Sequence, residues 1–356
     1  MSYGQSLGTG RGLLSRYERF FPIGPKTPRI SLGEGETPLI RSRSLEELTN
    51  AKQVWLKCDG ANPTGSFKDR GMVLATAKAV EDGAAAVVCA STGNTSASAA
   101  AYAARAGLKC AVLVSDEISA AKMAQVQMYG AEVILMDANF DSRLSMAKEI
   151  TTAVPGVTHV NSVNPYRLIG QRSAAFEICD QLGCAPDEVF IPVGNAGNIH
   201  AYWNGFSEYM SAGIVDSRPC MRGFQAEGAA PIVRGKVISA PVTIASALRI
   251  GNPENWEKAI EARDESGGTI QAVSDKSIMD AYQALGKEGV FCEPASAASV
   301  AGLLLRAKQG LVDPEACVVC VLTGHGLKDS EVADANSLKP TILAPQASDV
   351  IDKMNW

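Results

Sequence analysis

The chain has 356 residues, of which 46% are hydrophobic and 20% are charged, and its formal net charge is −5 at pH 7. This length suggests about two domains of ordinary globular composition. The negative charge argues against nucleic acid as the main partner, because proteins that bind phosphate backbones concentrate positive charge. We find no apolar run of the roughly 18 residues that span a bilayer and no secretory signal, so we expect a cytoplasmic protein without a membrane partner.

Glycines and prolines are frequent in residues 1–30, which predicts an irregular arm. After this arm, apolar β-like runs alternate with helical patterns at short intervals. Such alternation predicts an α/β fold with mostly parallel sheets flanked by helices. The predicted strands are 85–90, 109–115, 131–137, 157–161, 188–193, 220–226, 269–274 and 316–322.

One lysine follows a turn that contains proline and glycine, in the segment Asn-Pro-Thr-Gly-Ser-Phe-Lys-Asp-Arg-Gly at 62–71. Lys68 stands at the predicted first turn of an Ala-rich helix. The N-terminus of a helix carries partial positive charge, which biases a nearby amine toward its neutral, nucleophilic form. That form is the one a Schiff-base lysine needs, although most single lysines are solvated surface residues.

A hydroxyl-rich turn follows the first of these strands, with the sequence Ser91-Thr92-Gly93-Asn94-Thr95, and an Ala-rich helix comes next. A strand, a turn and a helix in this order direct backbone N–H groups and short side chains to one point, which suits a carboxylate or phosphate. The same residues are also common helix N-caps. Taken alone, this turn supports both interpretations.

Two further turns follow predicted strands. Gly194-Asn195-Ala196-Gly197-Asn198 lies between a strand and a helix predicted at about 200–210, and its glycines allow a phosphate to approach the backbone. It matches neither the P-loop nor the dinucleotide-binding fingerprint. Thr323 ends the apolar run Cys317–Leu322, at the edge of the sheet where open α/β folds bind ligands.

The nine cysteines and three histidines do not show metal-ligand spacing. Cys317 and Cys320 have the separation of half a zinc site, but no second pair or histidine follows at a suitable distance. We interpret both as core residues, because free cysteine packs as a small hydrophobic side chain. We therefore expect no metal.

In this order and spacing, these segments resemble the fold type II enzymes that use pyridoxal phosphate, and among them the threonine synthases. The resemblance extends from Gly-Glu-Gly-Glu-Thr-Pro-Leu at 33–39 to Thr-Gly-His-Gly at 323–326. It implies two three-layer αβα domains, with Lys68 as the Schiff-base residue for pyridoxal 5'-phosphate. It also implies that Asn94 meets the cofactor's phenolic oxygen and Thr323 its pyridine nitrogen. The cofactor phosphate would be bound by Gly194, Asn195, Ala196, Gly197 and Asn198.

The stretch His159–Gln171 also resembles the threonine synthases, in which the residues that match Asn161, Ser162 and Arg167 bind the substrate phosphate. Arginine suits this task because its planar fork pairs with phosphate oxygens. Without the resemblance, we would interpret Arg167 as the partner of a helix-surface carboxylate, Glu177 or Asp180. The resemblance adds three expected substrate-binding residues, which are Ser91, Thr92 and Thr95.

The implied reaction converts O-phosphohomoserine and water to threonine and phosphate by γ-elimination and β-addition, in a homodimer. The implied division is an N-terminal arm and crossover at 1–45 on the larger domain, a smaller domain with the lysine at 46–162, and a larger domain with the phosphate turn at 163–356. A serine/threonine dehydratase or another fold type II β-replacement synthase is the main alternative, since neither needs a site for a substrate phosphate. The intact lysine segment disfavours a degenerate binding protein, and the missing Gly-x-Gly-x-x-Gly disfavours a dinucleotide oxidoreductase.

Overall fold

The computed structural model of the chain describes residues 12–115, 120–138, 140–337 and 340–356. The strands are β1 (Leu39–Arg41), β2 (Gln53–Cys58), β3 (Ala86–Ala90), β4 (Lys109–Val114), β5 (Glu132–Leu135), β6 (Val157–His159), β7 (Glu188–Pro192), β8 (Cys220–Ala226), β9 (Thr269–Val273) and β10 (Cys317–Leu322). All eight predicted strands are therefore confirmed. The prediction missed β1 and β2.

The helices of the described residues are α1 (Leu13–Arg16), α2 (Arg43–Thr49), α3 (Lys68–Glu81), α4 (Asn94–Ala106), α5 (Ala120–Met128), α6 (Phe140–Ala153), α7 (Pro165–Gln171), α8 (Ser173–Leu182), α9 (Gly197–Ser211), α10 (Pro231–Arg234), α11 (Trp256–Glu265), α12 (Asp275–Lys287), α13 (Pro294–Lys308), α14 (Ser330–Asn336) and α15 (Ala347–Met354). Among these helices, none is long and apolar enough to cross a membrane.

The strands form two sheets with the orders β1-β2-β10-β7-β8-β9 and β5-β4-β3-β6. Every pairing is parallel except that of β1 with β2. Alternate residues of β10 enter different core clusters, with Val319 and Val321 on one face and Val318 and Cys320 on the other. Both faces of this sheet are therefore covered, as continuous apolar strands require. The predicted α/β fold class is confirmed.

The predicted boundary at 46 does not follow the sheets. β2 pairs with β10 along its whole length and so belongs to the six-stranded sheet, although the interval 46–162 assigns it to the smaller domain. The reason is the chain path, since β2 enters the larger sheet before the chain forms α3 and the four-stranded sheet. The sequence around β2 contains no change in composition that marks where the chain passes from the six-stranded sheet to the four-stranded sheet.

The prediction of an irregular arm over residues 1–30 holds for most of its described part, residues 12–30, but this part also contains a short helix that is buried in the core. Residues 13–16 form α1, and Leu13 and Leu14 are almost completely buried in the main core cluster. The Tyr17 ring lies 5.3 Å from the ring of Phe176 in α8. These apolar residues at helical spacing lie among glycines and prolines, which conceal the pattern. Residues 1–11 lie outside the described residues.

A buried cluster of four charged side chains anchors the beginning of α3. The Arg70 guanidinium donates to Asp59 and Glu177 at 2.7 to 3.1 Å, and Lys57 Nζ donates to Glu177 Oε2 at 2.9 Å. Two cations and two carboxylates balance one another, so no charge in the cluster is left without an opposite partner. Arg70 lies two residues after Lys68, and the cluster therefore ties the lysine segment to β2 and α8.

Candidate active site

The lysine turn and the turn after β10 are joined directly. The Phe67 N–H donates to Thr323 O, and the His325 N–H donates to Gly65 O, both at 2.9 Å. Ser66 and Gly324 form an antiparallel bridge between these hydrogen bonds. Residues about 255 positions apart in the chain, such as Lys68 and Thr323, are thereby brought to the same edge of the six-stranded sheet.

Lys68 is the first residue of α3, and its side chain is half-buried. The pKa of the Lys68 amine is lowered to about 7, mainly by burial and also by the Arg167 guanidinium, while the Glu293 carboxyl group opposes both. An amine with this pKa is about half neutral at pH 7, whereas one with the ordinary value of 10.5 is almost entirely protonated. The expectation of a neutral, nucleophilic lysine rested on the helix N-terminus, whereas the main physical cause is burial.

The pH dependence of cofactor attachment should report the lowered pKa of the Lys68 amine. When apoenzyme is mixed with pyridoxal phosphate, we expect the rate of covalent attachment to rise with pH and to level off above about pH 7, because only the neutral amine attacks. Stopped-flow absorbance measures this rate. Pyridoxal is the control, because it lacks the ionising phosphate. A rate that keeps rising toward the ordinary lysine pKa of 10.5 with both aldehydes would contradict this assignment.

Asn94 is the first residue of α4 and lies at the carboxyl end of β3. Its Nδ2 donates to Glu293 Oε1 at 3.2 Å and to Oε2 at 3.1 Å. Within the described part of the chain, the buried Oδ1 of Asn94 has no hydrogen-bond partner. A buried amide oxygen without a partner costs free energy unless a hydrogen-bond donor of a ligand satisfies it. An acceptor on a ligand would instead meet the second N–H of Asn94 Nδ2, so the amide as a whole fits a binding site.

Thr323 is buried, and a second hydroxyl fixes its position. Ser296 Oγ lies 3.0 Å from Thr323 Oγ1 and accepts a hydrogen bond of 2.9 Å from the Gly324 N–H. Either hydroxyl can donate in the Ser296–Thr323 hydrogen bond, and Ser296 can also donate to Gly324 O at 3.4 Å. In the arrangement where Ser296 donates to Thr323 Oγ1, the Thr323 hydrogen points at a ligand. Thr323 therefore suits an unprotonated ring nitrogen, which accepts a hydrogen bond.

The predicted phosphate turn leads from β7 into the 15-residue helix α9. Its N-cap residue, Ala196, has a left-handed backbone with φ of 67° and makes no side-chain capping bond. Both side-chain polar atoms of Asn198 are buried without a partner among the described residues. A strained, uncapped helix N-terminus with unsatisfied donors is a fitting site for an anion.

Close approaches surround the glycines of this turn, with backbone at Gly194 and with a side chain at Gly197. A Cβ at Gly194 would lie 2.9 Å from Ala247 O, and one at Gly197 would lie 2.7 Å from Leu168 Cδ2. Asn195 uses its side chain elsewhere, because its Oδ1 accepts from the Glu254 N–H at 2.7 Å. The side chain of Asn195 therefore braces the turn, and its backbone is the part available to a phosphate.

Arg167 is fully buried in α7, which packs directly on α3. A Cβ at Gly71 would lie 2.3 Å from Arg167 O, and one at Gly170 would lie 2.2 Å from Arg70 O. Arg167 Nη1 donates to Val160 O at 2.7 Å. Across the residues that the structure describes, Arg167 Nε and Nη2 have no hydrogen-bond partner. The two glycines thus bring an incompletely satisfied cation beside the helix of Lys68.

The other predicted substrate-binding residues surround the same end of the smaller sheet. The Asn161 side chain pairs with the backbone of Ala90 through two hydrogen bonds of 2.8 Å. Since this pairing uses one of the two amide hydrogens, one N–H of Asn161 is left for a ligand. Ser91, Thr92 and Ser162 are half-buried, and Thr95 is buried in the first turn of α4.

The sequence analysis missed Glu293 and Ser296, which contact Asn94 and Thr323. Both lie at the start of α13, where Pro294 occupies the first turn. A Glu-Pro pair before an Ala-rich stretch is a detectable signal for a helix start. The signal gives only the helix boundary, because it does not show that the two side chains turn toward other elements.

Comparisons with known proteins identify the family of the chain. The sequence pattern of the family described as "Pyridoxal-phosphate dependent enzyme" matches residues 30–324. A threonine synthase of Halalkalibacterium halodurans is 54% identical over 339 residues, which cover 94% of this chain and 94% of that protein. A threonine synthase of Methanocaldococcus jannaschii is 49% identical over 336 residues, which cover 91% of this chain and 83% of that protein.

Solved structures of lower identity share the fold. Maize serine racemase has a TM-score of 0.71 at 22% identity, covering 85% of this chain and 91% of its own. A threonine deaminase from Solanum lycopersicum has a TM-score of 0.72 at 21% identity, covering 85% of this chain and 89% of its own. The sequence matches over most of the chain confirm the resemblance found in the motifs. The chain belongs to the pyridoxal-phosphate dependent enzymes of fold type II and, within them, to the threonine synthases.

Proposed function

We propose that this enzyme converts O-phosphohomoserine and water to threonine and inorganic phosphate, and that Arg167 binds the phosphate group of the substrate. The observation that carries the proposal is the buried guanidinium of Arg167, which has two nitrogens without partners among the described residues. Burying a cation is costly unless an anion accompanies it. A phosphate oxygen pair matches the planar fork of arginine.

The two carboxylates that the sequence suggested as partners of Arg167 are engaged elsewhere. Glu177 pairs with Arg70 and Lys57 inside the buried cluster. Asp180 accepts hydrogen bonds from the hydroxyl groups of Tyr17 and Tyr209. The interpretation of Arg167 as half of a helix-surface ion pair is therefore wrong, and the guanidinium remains for a ligand.

The residues at the site fit pyridoxal phosphate, which supplies an electron sink for carbanions when it is bound. We assign its covalent attachment to Lys68 and its phosphate to the turn at 194–198, where Asn198 and the start of α9 have unsatisfied donors. Asn94 and Thr323 would contact the ring at its phenolic oxygen and its nitrogen. The Thr323 hydroxyl is a neutral donor, so it leaves the ring nitrogen unprotonated.

Lys68 would move protons at the substrate carbons once the substrate amine has released it from the cofactor. A group with a pKa near the working pH does this best, and burial brings the pKa of Lys68 to about 7. Asn161, Ser162, Ser91, Thr92 and Thr95 would donate to the substrate phosphate and carboxylate from the end of the smaller sheet. Their short hydroxyl and amide groups orient the substrate without adding charge.

A product assay tests this function against the dehydratase alternative. Purified protein should release equal amounts of phosphate and threonine from O-phosphohomoserine, while serine and threonine are deaminated slowly or not at all. Phosphate is measured colorimetrically and threonine by chromatography. Pyruvate is the marker of serine deamination, and 2-oxobutanoate is the marker of threonine deamination. Efficient deamination of threonine without phosphate release from O-phosphohomoserine would assign the chain to the dehydratases.

A homodimeric state and a cytoplasmic location remain proposals from the sequence.

A further inference from the structure

Glu293 is a buried carboxyl group whose position is not explained by its own helix. It is the N-cap residue of α13, yet its side chain makes no capping hydrogen bond. Its side chain is 2% exposed, and it forms no ion pair with any described residue. Burial raises the pKa of Glu293, while the amide of Asn94 and the more distant Lys122 and Lys328 lower it. Burying a carboxyl group without an ion-pair partner lowers the stability of the fold, and such a cost is typical of a functional residue.

The surrounding chain is shaped to accommodate this carboxyl group. The Glu293 N–H donates to Gly324 O at 2.9 Å, which fixes the backbone beside the turn after β10. A Cβ at Gly324 would lie 2.4 Å from Glu293 Cδ and Oε1, so only glycine leaves room for the carboxyl group there. The described hydrogen bonds of the carboxyl oxygens come from Asn94 Nδ2, across the gap between the two sheets.

A side-chain amide has two orientations that exchange its nitrogen and its oxygen. Both carboxyl oxygens of Glu293 accept from Asn94 Nδ2, so Glu293 selects the orientation in which the amide nitrogen faces it. One N–H of Asn94 is then committed to Glu293, and the second is held in a fixed direction. The phenolic oxygen of the cofactor accepts from such an N–H when it is ionised.

We propose that Glu293 is a positioning residue, which holds the Asn94 amide so that an N–H meets the ionised phenolic oxygen of the cofactor. The proposal rests on the contact of Asn94 with the cofactor in the proposed function. It assigns to Glu293 no contact with the substrate and no proton transfer.

The test is the absorption spectrum of purified holoenzyme variants, in which ionised and protonated phenolic oxygens give separate bands. Relative to Glu293→Gln, we expect Glu293→Ala to shift the band ratio about two- to tenfold toward the protonated form. A shift of this size corresponds to the loss of one hydrogen bond to the ionised phenolic oxygen. Gln retains an oxygen that accepts from Asn94 but has no negative charge. Glu293→Ala and Glu293→Gln therefore differ in the hydrogen bond to Asn94, whereas both lack the charge of the carboxyl group. Glu293→Asp is the second variant, because its shorter side chain withdraws the acceptor while the backbone is unchanged.

Two controls make the result specific. Glu288→Gln changes a carboxylate at the end of α12 that accepts from Ser42, and it should leave the band ratio unchanged. In an Asn94→Ala background, Glu293→Ala should add no further shift, since the held group is gone. An unchanged ratio in Glu293→Ala and Glu293→Asp, a shift in the opposite sense, or a full additive shift in the Asn94→Ala background would each overturn the proposal. These spectra are recorded without substrate. They therefore test the role of Glu293 independently of the product assay, which tests the proposed function.

Discussion

Replacement of Lys68 with Ala is expected to lower kcat by at least about 10³-fold, within the range that a positioned acid/base contributes. The purified variant should also lack the absorption of covalently attached cofactor, since Lys68 is the lysine that the turn at 62–66 and the start of α3 bring to the edge of the sheet beside Thr323. Neither loss requires a change of fold. Steady-state assay and the visible spectrum measure the two effects.

Lys78 provides a matched control on the same helix. It lies three turns after Lys68, close to the surface, where it pairs with Glu81. We expect Lys78→Ala to retain both activity and colour. A Lys68→Ala protein that keeps the attached cofactor, or a Lys78→Ala protein that loses it, would show that the wrong lysine has been assigned.

Replacement of Arg167 with Ala is expected to lower kcat/KM for O-phosphohomoserine by one to two orders of magnitude. A hydrogen bond to a charged group contributes about 1.5–3 kcal/mol, and each 1.4 kcal/mol is about a factor of ten. Residual deamination of threonine should fall much less, because threonine has no phosphate to bind. Removal of Arg167 leaves no carboxylate among the described residues without an ion-pair partner, but it opens a cavity and frees Val160 O. The thermal unfolding of the variant is therefore measured beside its kinetics.

Arg172 is the control for Arg167, five residues further along. It lies 3.5 Å from Glu208, and both side chains are partly exposed, so its loss should change kcat/KM little. The substrate preference is the decisive quantity here. If Arg167→Ala lowers the rates on O-phosphohomoserine and threonine by equal factors, Arg167 serves the fold and the substrate phosphate is bound elsewhere.

Much of the site could be predicted because parallel α/β sheets place their functional turns at the carboxyl ends of strands. Continuous apolar runs revealed β3, β7 and β10, and the turns after them contain Asn94, Asn198 and Thr323. The strand assignment therefore located these residues before any side-chain geometry was known. Lys68 was found in the same way, from a turn followed by a helix start.

Other features could not be predicted because they depend on pairing between distant segments. β2 contains Lys57, whose charge interrupts the apolar pattern. Its burial is tolerated because Thr37 O and, from α8, Glu177 and Gln181 accept from its Nζ. Glu293 and Ser296 likewise have no local signal beyond a helix start. Their roles arise from Asn94 and Thr323, which the fold brings to them across the gap between the sheets.

The reaction in water enriched in oxygen-18 tests the central claim, that a carbon–oxygen bond of O-phosphohomoserine is cleaved and water adds to carbon. The account predicts that the hydroxyl oxygen of the threonine product carries the label and that the released phosphate does not. Mass spectrometry of both products measures this directly. Label in the phosphate with unlabelled homoserine as the other product would show hydrolysis at phosphorus, and it would contradict the proposed role of Lys68 and the cofactor.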